Sequence, residues 1–318
     1  MSIRTVAVFG ASGKIGRHVV PLMRQRGLEV RALVHRTPVE AEGVQSIAGS
    51  ITDPEACREV VAGADAVVQL ATTKEDPDSF FDVSVRGTLN ALEACRGEDI
   101  EQFILFGGDA AFGIWFYPQP VPIDETHRLM AYPGHYAFTK VMEEVMVEQY
   151  SMQYGIPFTI QRCSWVFERD DLLGHFSLLD NVNPAEPGHG FGEVAPEIVA
   201  LVEAGEERVA VQVDETGWPY HRHIVHIDDV VQAFGKMLGN PTALGHSFNI
   251  AAPSAFEYRV AGDYLSERTG VPTVDVTAAG YHSFEINIAK ARAMLGYEPQ
   301  NDIFRMIDRA LDYREHSN

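Results

Sequence analysis

The chain has 318 residues, 46% hydrophobic and 22% charged, the make-up of an ordinary globular enzyme with a large core. Its 45 acidic against 25 basic residues leave a formal charge of −20, which repels nucleic acid and anionic membrane surfaces and removes both from the expected partners. Cys57, Cys95 and Cys163 are too few and too widely spaced for a disulfide framework or a CxxC metal site, and read as small buried hydrophobes in a reducing compartment.

Met1-Ser-Ile-Arg-Thr runs straight into an apolar segment without the pattern of a leader peptide, and no apolar run is long enough to span a membrane, so a cytoplasmic location is expected. Val6-Ala-Val-Phe9 predicts a parallel strand covered on both faces. It passes into Gly10-Ala-Ser-Gly13-Lys-Ile-Gly16. This spacing lets the chain turn tightly, bring its backbone up to a pyrophosphate and pack a new helix close on the sheet. The free N–H groups of that helix would face the phosphates, so a dinucleotide site is expected. Pro21 is expected to kink or shorten the helix, since it removes a backbone donor.

The second strand, Glu29 to Val34, ends in His35-Arg36 and lacks the carboxylate that an NAD site sets against the ribose hydroxyls. Arg36 is available for a 2'-phosphate, so the expected cofactor is NAD(P), leaning to NADP. Strands over 44–48 and 66–70, a helix over 54–61 between them and one longer helix over 79–96 continue the alternation. Phe103-Ile-Leu-Phe106 predicts another buried strand, and its end, Gly107-Gly108-Asp109, falls where a doubly wound sheet places its reactive crevice. Ile114-Trp115-Phe116-Tyr117 follows, as an aromatic wall for a sugar ring or as plain packing.

Tyr136-Ala-Phe-Thr-Lys140 sets a phenol and an ammonium four residues apart on one helical face, with Val141, Val145 and Met146 forming the apolar stripe. A charge about 4 Å from a phenolate in partly buried surroundings is worth roughly 4 kcal/mol. At about 1.36 kcal/mol per unit, that would draw the tyrosine down by up to about three units, into the range of efficient acid/base work. The bland alternative is an exposed helix face that happens to carry both residues.

Asp170 to Gly192, rich in Gly, Pro and Asn toward its end, reads as a mobile loop over a site or an insertion without a role. His221, His223 and His226 alternate across a strand and do not converge with Asp228, so no metal site is expected. Asp228 and Asp229 are expected to cap a helix over 230–238. A strand over 247–250 would rejoin the sheet, and helices are expected over 256–269, 288–295 and 303–313.

The chain resembles the extended branch of the short-chain dehydrogenase/reductase superfamily, the epimerases, dehydratases and sugar dehydrogenases. The resemblance rests on Gly10, Gly13 and Gly16, the run from Arg86-Gly87-Thr88 to Ala94, Tyr136 and Lys140, His226-Ile-Asp-Asp-Val and the segment Lys290 to Pro299. It implies an α/β Rossmann domain, a doubly wound parallel sheet, with a smaller discontinuous C-terminal domain for the substrate. The expected division is 1–165 with 223–250 for the cofactor and 166–222 with 251–318 for the substrate. It also implies Tyr136 as acid/base, Lys140 on the ribose and beside the tyrosine, and a homodimer through helices 79–96 and 136–150. On this pattern the cofactor contacts are Gly10, Ser12, Gly13, Lys14, Ile15, Gly16, His35, Arg36, Ser50, Ile51, Leu70, Ala71 and Thr72, with Tyr136 and Lys140. Gly108, Asp109, Trp115, Ser164 and Arg222 are expected on the substrate side.

Two departures stand out. Relatives carry Ser or Thr where this chain has Gly108, and losing one oriented donor is worth about 3 kcal/mol, a few hundredfold in rate. A water, Thr72, Thr73 or a protonated Asp109 would have to replace it; the bland reading of Asp109 is a turn carboxylate. Nucleotide-sugar relatives also continue into Gly-Pro where this chain has Glu168-Arg169, which weakens a nucleotide-sugar reading, although Arg222 matches an arginine such relatives aim at phosphate. A salt bridge is the alternative for Arg222. The expected function is NAD(P)-dependent oxidation, reduction or epimerisation at a secondary alcohol or ketone of a small sugar-like molecule. The alternatives are a nucleotide-sugar epimerase or dehydratase and a catalytically impaired dinucleotide sensor.

Overall fold

The computed structural model of the chain describes residues 2–183 and 194–317. The first half alternates β1 (Thr5–Phe9), α1 (Gly16–Gln25), β2 (Glu29–Val34), β3 (Val44–Ala48), α2 (Pro54–Val61), β4 (Ala66–Gln69), α3 (Gly87–Cys95), β5 (Gln102–Gly108), α4 (His135–Tyr154) and β6 (Phe158–Cys163). With β11 (His246–Ile250) these strands form one parallel sheet in the order β11-β6-β5-β4-β1-β2-β3. Both faces are covered, which is why β1 shows no polar alternation. Val6 and Val8 pack with Val19, Val20 and Met23 of α1, while Ala7 and Phe9 pack with α2 and α3 through Cys57, Val60 and Leu92.

The second half holds β7 (Trp165–Phe167), α5 (Asp171–Phe176), α6 (Leu178–Asn181), α7 (Pro196–Glu203), β8 (Val209–Val213), β9 (His221–Arg222), β10 (Ile224–His226), α8 (Ile227–Met237), β11 (His246–Ile250), β12 (Phe256–Glu257), α9 (Tyr258–Thr269), β13 (Thr273–Thr277), α10 (Ala289–Leu295) and α11 (Ile303–Ser317). Outside the main sheet, β7 pairs with β10, β8 with β13 in parallel and β9 with β12 antiparallel. Because β7 follows directly on β6, the β7–β10 pair lies past the C-terminal end of that strand.

Several local expectations are corrected. α1 continues through Pro21, because that residue faces solvent, where the carbonyl it leaves unbonded can be hydrated. The helix expected over 79–96 opens as a π-helical turn, Phe81–Arg86, before α3. That wider turn buries Ser84, whose Oγ meets Thr72 Oγ1 at 3.1 Å and accepts from the Thr73 N–H. The cap of α8 is His226, whose Nδ1 accepts from the Asp228 N–H; Asp228 and Asp229 lie in the first turn, and Asp229 accepts the N–H groups of Gln300 and Asn301. The loop expected from Asp170 begins instead as α5 and α6, anchored by buried Leu172, Leu173, Phe176 and Leu178, and 184–192 lie outside the described residues.

One buried ion pair ties α4 to the sheet. Arg162 on β6 donates through Nε and Nη2 to Glu144 of α4, at 2.7–3.0 Å, with both side chains excluded from solvent. Glu144→Ala leaves the guanidinium buried without its acceptor, and urea unfolding should show a loss of about 3–5 kcal/mol; a loss under about 1 kcal/mol would mean that packing alone holds the helix.

Candidate active site

The sheet reverses direction of growth between β1 and β4, and the crevice opens at their C-terminal ends. Gly10 has φ 83°, and a Cβ there would stand 2.8 Å from Ala71 N and 2.9 Å from Leu70 C, so the loops after β1 and β4 touch through backbone alone. A Cβ at Gly16 would meet Gly10 O at 2.3 Å. α1 begins with no side-chain cap and no acidic residue in its first turn; the N–H groups of Arg17 and His18 donate to Gly13 O and Ile15 O, while those of Ile15 and Gly16 meet no acceptor among the described residues. These features fit an anionic pyrophosphate. Gln69 fixes the neighbouring loop, since its amide accepts from the Ala71 N–H and donates to Ala71 O and Thr88 Oγ1.

Other expected cofactor contacts are distributed around this loop. Lys14 reaches across the crevice to Val166 O and Asp171 Oδ2, at 2.8 and 2.5 Å. His35 and Arg36 are exposed just past β2, and no carboxylate pairs with Arg36 among the described residues. Ser50 Oγ meets Thr52 Oγ1, and Ile51, buried beneath Gly87, offers its carbonyl to Asn90 Nδ2. Ser12 and Ile15 lie in the glycine loop itself.

Tyr136 and Lys140 lie in the first two turns of α4, with Lys140 Nζ 5.5 Å from the Tyr136 ring centroid. The expectation that Lys140 draws the phenol down is overturned. Burial, then the charges of Asp109 and Glu143, push Tyr136 above the usual tyrosine range. The physical reason is that Lys140 is already engaged: Nζ donates to Phe106 O at 3.1 Å and to Glu143 Oε2 at 2.9 Å. An ammonium has three donors, so one remains for the crevice. Glu143, three residues on along the same helix, is a functional neighbour that sequence spacing could have shown.

Gly108 stands where a side chain would meet the phenol. A Cβ at this position would be 3.4 Å from Tyr136 Oη, in ordinary contact, and its φ of −154° suits any residue. Asp109 follows, its Oδ2 2.7 Å from Ser164 Oγ, and Ser164 Oγ is also 2.5 Å from the His223 carbonyl. A serine hydroxyl has one proton and the carbonyl can only accept. With Asp109 ionised, Ser164 donates to its carboxylate; with Asp109 protonated, the acid donates to Ser164 and Ser164 donates to His223 O. Burial raises the Asp109 carboxyl to about 6, against the smaller lowering effects of Ser164 and Arg222. Of the other expected replacements for the missing hydroxyl, Thr72 Oγ1 is engaged with Ser84 and Thr73 O, while Thr73 Oγ1 is buried without a partner.

Arg222 makes no salt bridge among the described residues. Its guanidinium lies over two indoles, with its carbon 3.9 Å from the Trp165 and 4.7 Å from the Trp115 ring centroid. Trp115 is buried and is backed by Tyr220 and Tyr281 at 5.1 and 4.9 Å. Glu75 was not foreseen. Its carboxylate accepts the N–H groups of His135 and Tyr136 at 2.8 and 3.2 Å, clipping the loop after β4 onto the start of α4. A contact spanning 60 residues leaves no sequence signal.

Residues 6–251 match the sequence model of the NAD dependent epimerase/dehydratase family. A UDP-glucose 4-epimerase of Rhizobium leguminosarum bv. trifolii is 25% identical over 342 residues, covering 100% of this chain and 99% of that protein. An L-arabinose 1-dehydrogenase (NAD(P)(+)) of Haloferax volcanii is 26% identical over 179 residues, covering 52% of this chain and 69% of its own. Among solved structures, a short-chain dehydrogenase/reductase superfamily protein of Agrobacterium tumefaciens with bound NAD superposes with a TM-score of 0.85 at 24% identity, covering 99% of this chain and 98% of that one.

The state of Asp109 has a measurable signature. A carboxyl raised on folding from 3.8 to about 6 contributes stability that is fully present below pH 3.8 and lost as pH rises through about 6. The loss has a ceiling of about 3 kcal/mol. Asp109→Asn keeps a neutral donor to Ser164, so denaturation at pH 8 should find it more stable than the parent chain, with the gap closing near pH 4.5. An unchanged gap across that window would show Asp109 ionised throughout.

Proposed function

The chain belongs to the NAD dependent epimerase/dehydratase family, and from that premise we propose an NAD(P)-dependent oxidoreductase or epimerase acting at a secondary alcohol or ketone of a sugar or sugar-derived molecule. The observation that carries this reading is the placing of Tyr136 Oη against Gly108, at the C-terminal end of β5, beside the open glycine loop. The nicotinamide, when bound, supplies hydride acceptance and donation. Tyr136 takes the proton of the substrate hydroxyl as the carbon gives up hydride, or returns it to the carbonyl oxygen in reduction. Its raised position on the pH scale favours the phenol, and so the acid role, in the resting protein. Lys140, with one donor left over, suits the ribose. The division of the chain near residues 165, 222 and 250 is supported by β6 and β11 lying in the main sheet and β9 and β12 outside it, whereas β10, on the cofactor side of that division, pairs with β7. Exposed Leu89 on α3 and Phe138, Val145 and Met152 on α4 support a homodimer through those helices. No observation favours the impaired-sensor reading.

Tyr136→Phe should lower kcat at least a hundredfold with cofactor affinity preserved; full turnover in that variant rules the mechanism out. Gly108→Ser restores a hydroxyl beside the phenol and should leave activity equal or higher, because the position has room and no backbone strain. For the cofactor, the unpaired Arg36 favours NADP. Titration should find NADPH bound more tightly than NADH, and Arg36→Ala should weaken NADPH about tenfold; equal affinities in the parent chain would remove the preference.

A further inference from the structure

Glu143 and Lys140 lie three residues apart on α4, both withdrawn from solvent, with Lys140 Nζ 2.9 Å from Glu143 Oε2. The bond between them joins no two elements, since both belong to one helix; it is the neighbouring Glu144 that ties α4 to β6, through Arg162. Glu143 Oε1 is buried and meets no hydrogen-bond donor among the described residues. A carboxylate withdrawn from water with one oxygen unsatisfied is destabilising, and apolar side chains of similar size are commonly as good or better in place of a buried ion pair. The fold gains no cross-link from this one. What the bond fixes is the position of an ammonium: Nζ is held between Glu143 Oε2 and Phe106 O, 5.5 Å from the centre of the Tyr136 ring.

We propose that Glu143 is a positioning residue for proton transfer: its carboxylate anchors the Lys140 ammonium and offsets its charge, and so sets the pH above which Tyr136 takes the proton of a substrate hydroxyl. This rests on the oxidoreductase or epimerase reading and adds to it a residue that acts through the lysine. With Glu143 ionised beside it, the ammonium favours a phenolate little; without that carboxylate its charge stands uncompensated near the ring and favours the phenolate strongly. The other groups that face the phenol do not touch the ammonium. Asp109, after β5, holds the phenol up more than Glu143 does, but its Oδ2 is bonded to Ser164. Cys163, at the end of β6, is a thiol that burial pushes up to about 12. Lys74, on the loop after β4, lies 5.9 Å from the ring centroid and pairs with no carboxylate among the described residues. Glu75 accepts the N–H groups of His135 and Tyr136, Glu144 is bonded to Arg162, and Tyr132 is a second phenol that burial holds above the usual range.

Glu143→Gln keeps an acceptor for Nζ and removes the charge. Tyrosine isotopically labelled at the ring carbon that bears the hydroxyl gives one NMR resonance for each of the 11 phenols, and Tyr136→Phe identifies the one that belongs to Tyr136. With NAD or NADP saturating and no sugar present, the Tyr136 resonance of Glu143→Gln should begin to move at least about one pH unit lower than that of the parent chain. Oxidation of any sugar that the parent chain turns over should set in earlier by the same interval. Glu143→Asp keeps the charge on a shorter stem, so its resonance should begin to move closer to the parent than to the glutamine variant; a purely structural role would be upset by the shortening at least as much as by the amide. The proposal is overturned if the Tyr136 resonance of Glu143→Gln begins to move no lower than that of the parent, including the case in which neither moves at any pH that leaves the chains folded. It is equally overturned if Glu143→Asp behaves as Glu143→Gln does, or if the glutamine variant does not fold, which would make Glu143 part of the scaffold. The resonance needs no turnover. A lowered onset with no oxidation of any sugar by the parent chain would therefore sink the proposed function and leave the hold of Glu143 on the phenol standing, and turnover with an unmoved onset would do the reverse.

Discussion

Helix α4 lies against the C-terminal ends of β5 and β6 so closely that no side chain fits between it and Gly107. A Cβ there would come within 2.7 Å of Glu144 Oε1 and 3.3 Å of Arg162 Cγ. Two bonds close the contact, Arg162 to Glu144 from the sheet and Lys140 Nζ to Phe106 O from the helix. Because the glycine pair 107–108 removes bulk at this seam, the first turns of α4 reach the strand end and Tyr136 Oη arrives beside Gly108. The missing hydroxyl and the close approach of the helix are thus features of one seam, although only Gly107 is required by the packing. Gly108 has room for a side chain, and nothing in the structure explains its identity.

The parts of this site that are local in sequence were legible. The glycine loop sits between a continuous apolar strand and an amphipathic helix, and Tyr136 and Lys140 lie one helical turn apart, so periodicity was enough to place them. The parts formed by distant residues were not. Asp109 meets Ser164 across 55 residues, Glu75 reaches α4 across 60, and Arg222 is covered by Trp165 from another strand. The error over Tyr136 has the same origin. Counting Lys140 alone predicts a lowered phenol, whereas the folded chain adds burial, Glu143 on the ammonium and Asp109 near the ring. Charge on a helix face is readable from spacing; the solvation of that charge is a property of the whole fold.

Asp109 and Arg222 form the electrostatic contrast on the substrate side. Asp109 is a carboxyl that burial raises to about 6, against the lowering effects of Ser164, Arg222 and the N–H groups of Ala110 and Trp165. Arg222 is a permanent cation. An ionised Asp109 would partly neutralise Arg222 through space, and Arg222 in turn lowers Asp109. The two groups are coupled in the sense that acid–base work needs.

That coupling also bears on the overall charge. A chain of formal charge −20 repels anions at long range, with a reach cut to about 8 Å by physiological salt. Any anionic ligand therefore gains nothing from the surface field and must be held at short range. Surface lysines paired with carboxylates, as Lys14 is with Asp171, cannot serve. Arg222 is enclosed by indoles and pairs with no carboxylate among the described residues.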